Sequence, residues 1–292
     1  DLWAQQGHLL LTPGSTVDYE FVAKWLVEFC EDHGVKSVRF DRWRMDVFKS
    51  HGKIYEASAS MMFDIPIEQV TKGSEWRQKG KVAELALGYQ GSVGAVKQIP
   101  GGEDIGSDED IKEMVNRWRR KSPRIVKLWK SVEDAAKDAV RSGKTLTLPA
   151  FKNLKFGYDG NFLMIQLPSG RKLFYVKPRF TQNRWGMESL KYQGMDQDTK
   201  KWGWVDTYGG KFVENIVQAI ARDLLAEAMI AINEEDVNIV MHVHDEAVAE
   251  VAIEEAEQKL RDMEAIMSRE IPWAKGLPLT ADGYITPFYM KE

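Results

Sequence analysis

Apolar residues recur every third or fourth position along the first half of this chain, and the period shortens towards two in much of the second half. The longer period predicts helices and the shorter one strands. Helices are expected over 54–63, 74–88, 108–120 and 124–142, the last two split by Pro123. Ser74 is the expected N-cap of the second, Gly91 and Gly94 break the pattern after it, and Gly101-Gly102 opens a polar loop. Strands are expected at 145–148, 162–165, 173–176 and 202–207, with turn signals at Asp159-Gly160 and Pro168-Ser169-Gly170. A long helix over 208–232 follows, with Phe212, Ile216, Ala219, Ile220 and Leu224 at helical spacing. Then come two short apolar runs, 237–243 and 247–251, around His244-Asp245-Glu246. A charged helix over 254–267 and a last strand from 277–280 and 283–285 close the pattern.

Residues 1–46 have a different character. Gly7 to Gly14 reads as a short strand closed by Pro13-Gly14. Asp18 caps an expected helix over 19–32 with Phe21, Val22, Trp25, Leu26 and Phe29 on one stripe, Gly34 ends it, and 36–40 is a strand reaching Asp41. This strand–helix–strand unit begins mid-domain, and the first residue is Asp rather than Met. The chain is therefore expected to be a fragment of a longer reading frame.

Composition narrows the class. At 292 residues, 43% hydrophobic and 29% charged, the chain can bury a sizeable core as one large or two ordinary domains. A net charge of −4 gives no global attraction to nucleic acid. Basic clusters are local, at Arg117 to Lys121, Arg171-Lys172 and Lys177-Pro178-Arg179, and each alone reads as a solvated face. Cys30 is the one cysteine, so no disulfide forms within the chain, which fits a reducing, cytoplasmic setting. No apolar run reaches membrane-spanning length.

Two motifs carry chemistry. The paired runs around His244-Asp245-Glu246 predict a hairpin with carboxylates at its tight turn. Oxygen donors at such a turn suit Mg²⁺, which binds through one or two carboxylates plus substrate phosphates. A zinc reading from His242 and His244 is open, but no Cys or further His completes it. A lone His-Asp-Glu is more often a cap or surface turn. The second motif is a helical stripe at every fourth position: Arg77, Lys81, Leu85, Tyr89. Two cations, an aliphatic side chain and an aromatic ring match the phosphates, sugar and base of a nucleoside triphosphate. Basic residues four apart are also common on solvated helices, so this spacing alone is weak.

Taken in this order, the motifs resemble family A DNA polymerases, the class of bacterial DNA polymerase I, and most nearly their phage-type members. The helix 77–89 is similar to the fingers helix called motif B, matching at Arg77, Lys81, Leu85 and Tyr89. The resemblance implies that Arg77 and Lys81 hold the incoming triphosphate, Leu85 packs on its sugar and Tyr89 guards the templating position. Many members have Phe or Tyr at the position of Leu85, which bears on sugar discrimination. Tyr55 stands where much of the family has a His near the phosphates. His244-Asp245-Glu246 resembles motif C, which makes Asp245 the metal ligand, Glu246 its support and His244 a neighbour of the primer terminus. Gln218 resembles a glutamine facing the primer–template duplex, and Arg171 an arginine of the palm. Glu214 and Asn215 depart from the bacterial spacing.

What the resemblance implies is an α+β fold, incomplete: a helical fingers lobe over 47–143 and an antiparallel palm over 144–292 of a right-hand polymerase. The implied activity is Mg²⁺-dependent transfer of dNMP from dNTP to the 3′ end of a primer on template DNA, with DNA and dNTPs as partners in a bacterial host's cytoplasm. Two-metal transfer needs a second carboxylate from another strand. The family's motif A supplies it, and that stretch is not found; Asp18-Tyr19-Glu20 only echoes it. Residues 1–46 instead resemble the nuclease domain of the phage large terminase subunit, an RNase H-like α/β fold, through Gly7 to Gly14, Val17-Asp18-Tyr19 and Phe40-Asp41-Arg42-Trp43. A terminase-type nuclease fragment is thus an alternative, though no phosphate-binding Gly-x4-Gly-Lys-Ser/Thr loop occurs. A non-catalytic DNA-binding remnant is another. Without the motif A strand, the palm sheet is expected to expose unpaired edges, to aggregate and to synthesise little DNA.

Overall fold

A computed structural model describes residues 8–13, 53–148, 154–196 and 199–289, giving backbone but not side chains for the first of these stretches. The helix expected over 19–32, the strand at 36–40 and Asp41 lie outside the described residues. The chain divides into two compact units, Ala23–Ile216 and Asp1–Val22 with Val217–Glu292.

The larger unit begins with helices, as the period predicts. Helix α1 (Ile54–Phe63) buries Ala57, Ala59, Met61 and Met62 and stops at Asp64, whose φ of 53° is left-handed. Helix α2 (Glu75–Leu87) starts where expected: the Ser74 hydroxyl accepts from the Arg77 N–H at 3.2 Å. The two helices meet at Gly80. A Cβ there would stand 2.2 Å from the Tyr55 carbonyl oxygen, so only glycine allows this approach. Helix α3 (Val93–Gln98) runs through Gly94, where the sequence predicts a break; Ser92 precedes it and buried Val96 anchors it.

Helix α4 (Asp108–Lys121) opens with a capping box between Ser107 and Asp110. Its acidic first turn and basic last turn complement the helix dipole. Helix α5 (Pro123–Ser142) carries Pro at its start and Gly143 at its end, with φ of 65°. Trp118 of α4 stacks on Trp129 of α5 with ring centroids 6.1 Å apart, and both rings are buried.

The same unit holds a six-stranded antiparallel meander in chain order: β2 (Leu146–Thr147), β3 (Lys155–Tyr158), β4 (Phe162–Gln166), β5 (Lys172–Gln182), β6 (Glu188–Met195) and β7 (Trp202–Thr207). One face of β3 and β4 is buried through Phe156, Leu163 and Ile165, on the side where α5 packs. Neither β3 nor β6 is among the expected strands: Lys-Phe-Gly-Tyr is too short and too glycine-broken to announce itself, and Glu188–Met195 is largely polar. β5 also outruns its expected end at Val176. Pro178 cannot donate to a ladder, and the strand passes it by a bulge between Val176 and Arg179, with Lys177 at φ of 46°.

Helix α6 (Gly209–Glu234) crosses from one unit to the other in sequence. Within the larger unit its first two residues are wedged against backbone. A Cβ on Gly209 would lie 2.2 Å from the Trp129 carbonyl, and one on Gly210 2.2 Å from the Tyr89 carbonyl. Their N–H groups donate to Glu133 Oε2 at 3.0 Å and Gln90 Oε1 at 2.9 Å, so side chains from α5 and the end of α2 cap this helix.

The smaller unit is a four-stranded sheet in the order β10-β1-β9-β8, made of β1 (His8–Pro13), β8 (Ile239–Val243), β9 (Glu246–Ala252) and β10 (Gly283–Thr286). Helix α7 (Ala256–Met267) lies against it, and Ile232, Val237, Ala247, Ala249, Val251 and Met263 form the core. The expected strand at 277–280 is not formed; Pro278 interrupts it, and only Gly283–Thr286 pairs.

This sheet overturns one expectation. The edges of β9 and β10 are not left open, because β1 lies between them, antiparallel to both: Leu11 faces Ala249 on one side and Ile285 on the other. Leu9-Leu10-Leu11-Thr12 is apolar enough to occupy an interior position, so a strand from the N-terminal segment closes the gap.

Candidate functional site

The helical stripe forms as predicted. Along α2, Arg77 and Lys81 are half-buried, Leu85 is 44% exposed and Tyr89 is half-buried. The opposite side of the helix buries Gly80, Val82, Ala83, Glu84, Ala86 and Leu87. The stripe therefore lies on the side of the helix that is not committed to the core.

The stripe has neighbours that its spacing does not reveal. Arg77 Nε donates to Glu56 Oε1 at 2.8 Å, and its guanidinium sits 5.5 Å from the centre of the Tyr55 ring. Tyr55 and Arg77, singled out separately in the sequence, are thus brought together by the close α1–α2 packing at Gly80. Glu56 escaped sequence reasoning because one acidic residue in a first helical turn is unremarkable. The signal that could have found the contact is Gly80 itself, a residue that costs about 1 kcal/mol in a helix interior and so implies close approach.

Beneath the stripe lies a buried carboxylate. Glu84 is 1% exposed and accepts from Ser58 Oγ at 2.5 Å and from Trp118 Nε1 at 3.1 Å, joining α1, α2 and α4. At the helix end, Trp129 Nε1 donates to the Gly88 carbonyl at 2.8 Å, and Arg119 Nη2 to the Gly91 carbonyl at 2.9 Å. These bonds fix the stretch carrying Tyr89 from several helices at once.

The second predicted motif lies in the smaller unit. Val243 pairs with Glu246, leaving His244 and Asp245 as a two-residue turn between β8 and β9. His244 takes a left-handed φ of 53°. The twist of a tight hairpin favours such a conformation at its first turn position, and a β-branched residue there would be strained. His244 is exposed, while Asp245 and Glu246 are half-buried. The Tyr289 hydroxyl donates to Glu246 Oε2 at 3.2 Å. Partial burial and the Glu246 carboxylate both raise the Tyr289 phenol above its ordinary pKa, so it stays protonated and able to donate.

His242, the other half of the open zinc reading, has its Nε2 3.4 Å from the guanidinium of Arg222, a poor neighbour for a cation. Among the described residues no group of three or more His, Cys, Asp and Glu side chains comes together.

The remaining residues are placed as follows. Gln218 is exposed on α6. Asn215, one turn earlier, donates its amide to the Tyr175 hydroxyl at 3.1 Å, and Glu214 pairs with Lys211 at 2.9 Å. Burial raises the Tyr175 phenol, against the opposing effect of that hydrogen bond. Arg171 is exposed at the β4–β5 turn, in the six-stranded sheet rather than the sheet of the Asp245 hairpin.

This fold resembles that of a polymerase domain. The structure of the POL domain of Pol1 from M. smegmatis, in complex with DNA primer-template and dNTP, matches it with a TM-score of 0.62 at 16% identity, over 97% of this chain and 40% of that one. In sequence, the DNA polymerase of Bacillus phage SP02 is 50% identical over 254 residues, which is 86% of this chain and 38% of that protein. The large terminase subunit of Enterobacteria phage HK97 is 45% identical over 49 residues, 17% of this chain and 10% of that protein. The resemblances to a phage DNA polymerase and to a phage terminase are therefore both present in one chain. The chain spans less than half the length of each of these relatives. No family model matches it.

Proposed function

We propose that this chain carries the nucleotide-binding helix and the metal-binding hairpin of a phage DNA polymerase, an enzyme that transfers dNMP from dNTP to a primer 3′ end under template direction. The observation that carries the proposal is 50% identity to the phage SP02 DNA polymerase over 86% of this chain. The arrangement on α2 supports it. Arg77 and Lys81 are accessible cations that bind phosphate oxygens, Leu85 offers apolar contact to the sugar, and Tyr89 lies at the template end. Tyr55 borders the phosphate end through its contact with Arg77. His244, Gln218 and Arg171 are assigned to primer–template DNA.

Asp245 and Glu246 suit Mg²⁺ in donor chemistry, being oxygen ligands held half-buried at a tight turn. Asp245 would hold the ion, and Glu246, fixed by Tyr289, would support the turn. Mg²⁺ bound there supplies charge neutralisation for phosphate and primer oxygens. Lys81 binds and orients the triphosphate by charge, and Arg77, restrained by Glu56, directs its remaining N–H donors to it. In this reading 47–143 is fingers, 144–292 is palm, and 1–46 derives from a terminase nuclease, with the setting a bacterial host's interior.

The experiment is equilibrium binding of a dNTP in the presence of Mg²⁺ and primed template. Lys81→Ala should weaken binding roughly tenfold or more, the loss of one charge-assisted phosphate contact. Equal binding by wild type and variant would leave a DNA-binding remnant in place of a polymerase.

A further inference from the structure

The open face of the six-stranded sheet carries a pattern that the nucleotide site does not use. Residues on one face of a strand alternate, and the ladder register aligns them across strands. Val176 faces Gln193 and Gln193 faces Trp204; Met195 faces Trp202; Arg179 faces Lys191 and Lys191 faces Asp206. One alternation step from Val176 brings Phe174 onto the row of Met195 and Trp202. The face thus bears an apolar row, then a row containing Trp204, then a basic row. The opposite face is the one packed against the core, through Leu163, Ile165, Tyr175 and Leu190.

The exposed side chains are unusually large for solvent. Phe174 is 57% exposed, Trp202 60%, Trp204 42% and Met195 50%. The cations are stacked on rings: the Arg179 guanidinium lies 3.6 Å from the Trp204 ring centre, and Lys191 Nζ lies 5.8 Å from it. Lys172 flanks the apolar row on β5 and is exposed. Against these three cations the three rows present a single carboxylate, Asp206.

Flat rings beside unneutralised cations suit a partner that is both anionic and rich in exposed π-faces. A protein partner would need an acidic aromatic surface to match, and a duplex hides its base faces. A single strand presents both phosphates and open bases. We propose that this sheet face, through Phe174, Trp202, Trp204, Arg179, Lys191 and Lys172, is a binding platform for single-stranded DNA. Bases stack on the rings and phosphates follow the basic row. The platform is independent of the nucleotide-binding reading, since none of these residues belongs to the α2 stripe or the Asp245 hairpin.

The test uses the full chain and a fluorescently labelled oligo-dT, followed by anisotropy at low and moderate salt. Trp202→Ala and Trp204→Ala should each weaken binding about tenfold. Trp204→Phe should restore most of the affinity, because any ring stacks. Arg179→Glu should weaken binding and reduce the slope of log affinity against log salt by about one. Lys112→Ala, an exposed charge on α4 outside both sites, should bind oligo-dT as wild type does. The polymerase reading is tested by dNTP binding alone, so its failure would leave this result standing. Equal binding by wild type and the tryptophan variants would overturn the proposal. So would tryptophan variants that lose blunt-duplex affinity as much as oligo-dT affinity, or a tryptophan variant that changes oligomeric state in light scattering while oligo-dT binding is unchanged. Unchanged thermal melts would exclude misfolding as the cause of lost binding.

Discussion

At the residue scale, the most exacting position is Glu84, a carboxylate with almost no exposure beneath the stripe on α2. Both its partners donate to it, and each would lose this acceptor without it. A hydrogen bond to a charged group contributes about 1.5–3 kcal/mol. Glu84→Ala should therefore lower the thermal midpoint by several degrees, at about 2–4 °C per kcal/mol for a chain of this size. Glu84→Gln should lose less, since its amide oxygen still accepts. A calorimetric scan distinguishes the two; midpoints equal to that of wild type for both variants would mean the carboxylate is not needed there. Glu84 was passed over in the sequence because helix-favouring glutamates are ordinarily solvated.

Elements meet at points where a single atom decides the fit. The α1–α2 contact at Gly80 is one. Gly80→Ala improves helix propensity by about 1 kcal/mol, but places a Cβ 2.2 Å from the Tyr55 carbonyl, which is backbone and cannot turn aside. Overpacking of this kind costs about 1–3 kcal/mol, so the clash wins. The variant should melt earlier and bind dNTP more weakly than wild type, as Tyr55 and Glu56 shift away from Arg77. A variant that melts higher would show that the helices have room to part. The other decisive element is β1. Deleting residues 1–13 removes ladder bonds on both of its sides and uncovers β9 and β10 together. Size-exclusion chromatography should then show aggregation where the full chain elutes as a defined species. A well-behaved truncated chain would mean that the β1 pairing contributes little to the sheet.

For the whole molecule, the balance between binding and chemistry is the open quantity. The chain holds a complete stripe on α2, while the described residues gather no third His, Cys, Asp or Glu side chain beside Asp245 and Glu246. Binding of dNTP should accordingly outrun synthesis. Primer extension in Mg²⁺ should be slow beside dNTP binding of ordinary strength, and a gel-based extension assay checks this. Fast extension that Asp245→Ala abolishes would show that a further ligand is supplied from residues not described.

The sequence by itself determined the longer helices among the described residues, the stripe and the acidic turn. Each of these is local: helical spacing puts Arg77, Lys81, Leu85 and Tyr89 on one face, Ser74 starts their helix, and two strand-forming runs around His244-Asp245 leave room for only a tight hairpin. It also carried the two phage resemblances, because these rest on residue order. What it could not supply were partners far apart in the chain. Glu56 beside Arg77, Ser58 and Trp118 on Glu84, and Gln90 capping Gly210 are pairings that no local pattern encodes. The meander hid β3 and β6 and extended β5, since a neighbour's ladder outweighs weak propensity and a bulge carries Pro178. The largest difference is β1. A strand's place in a sheet is set by which edges are open in the folded chain, and the open edges of β9 and β10 exist only once distant segments have come together.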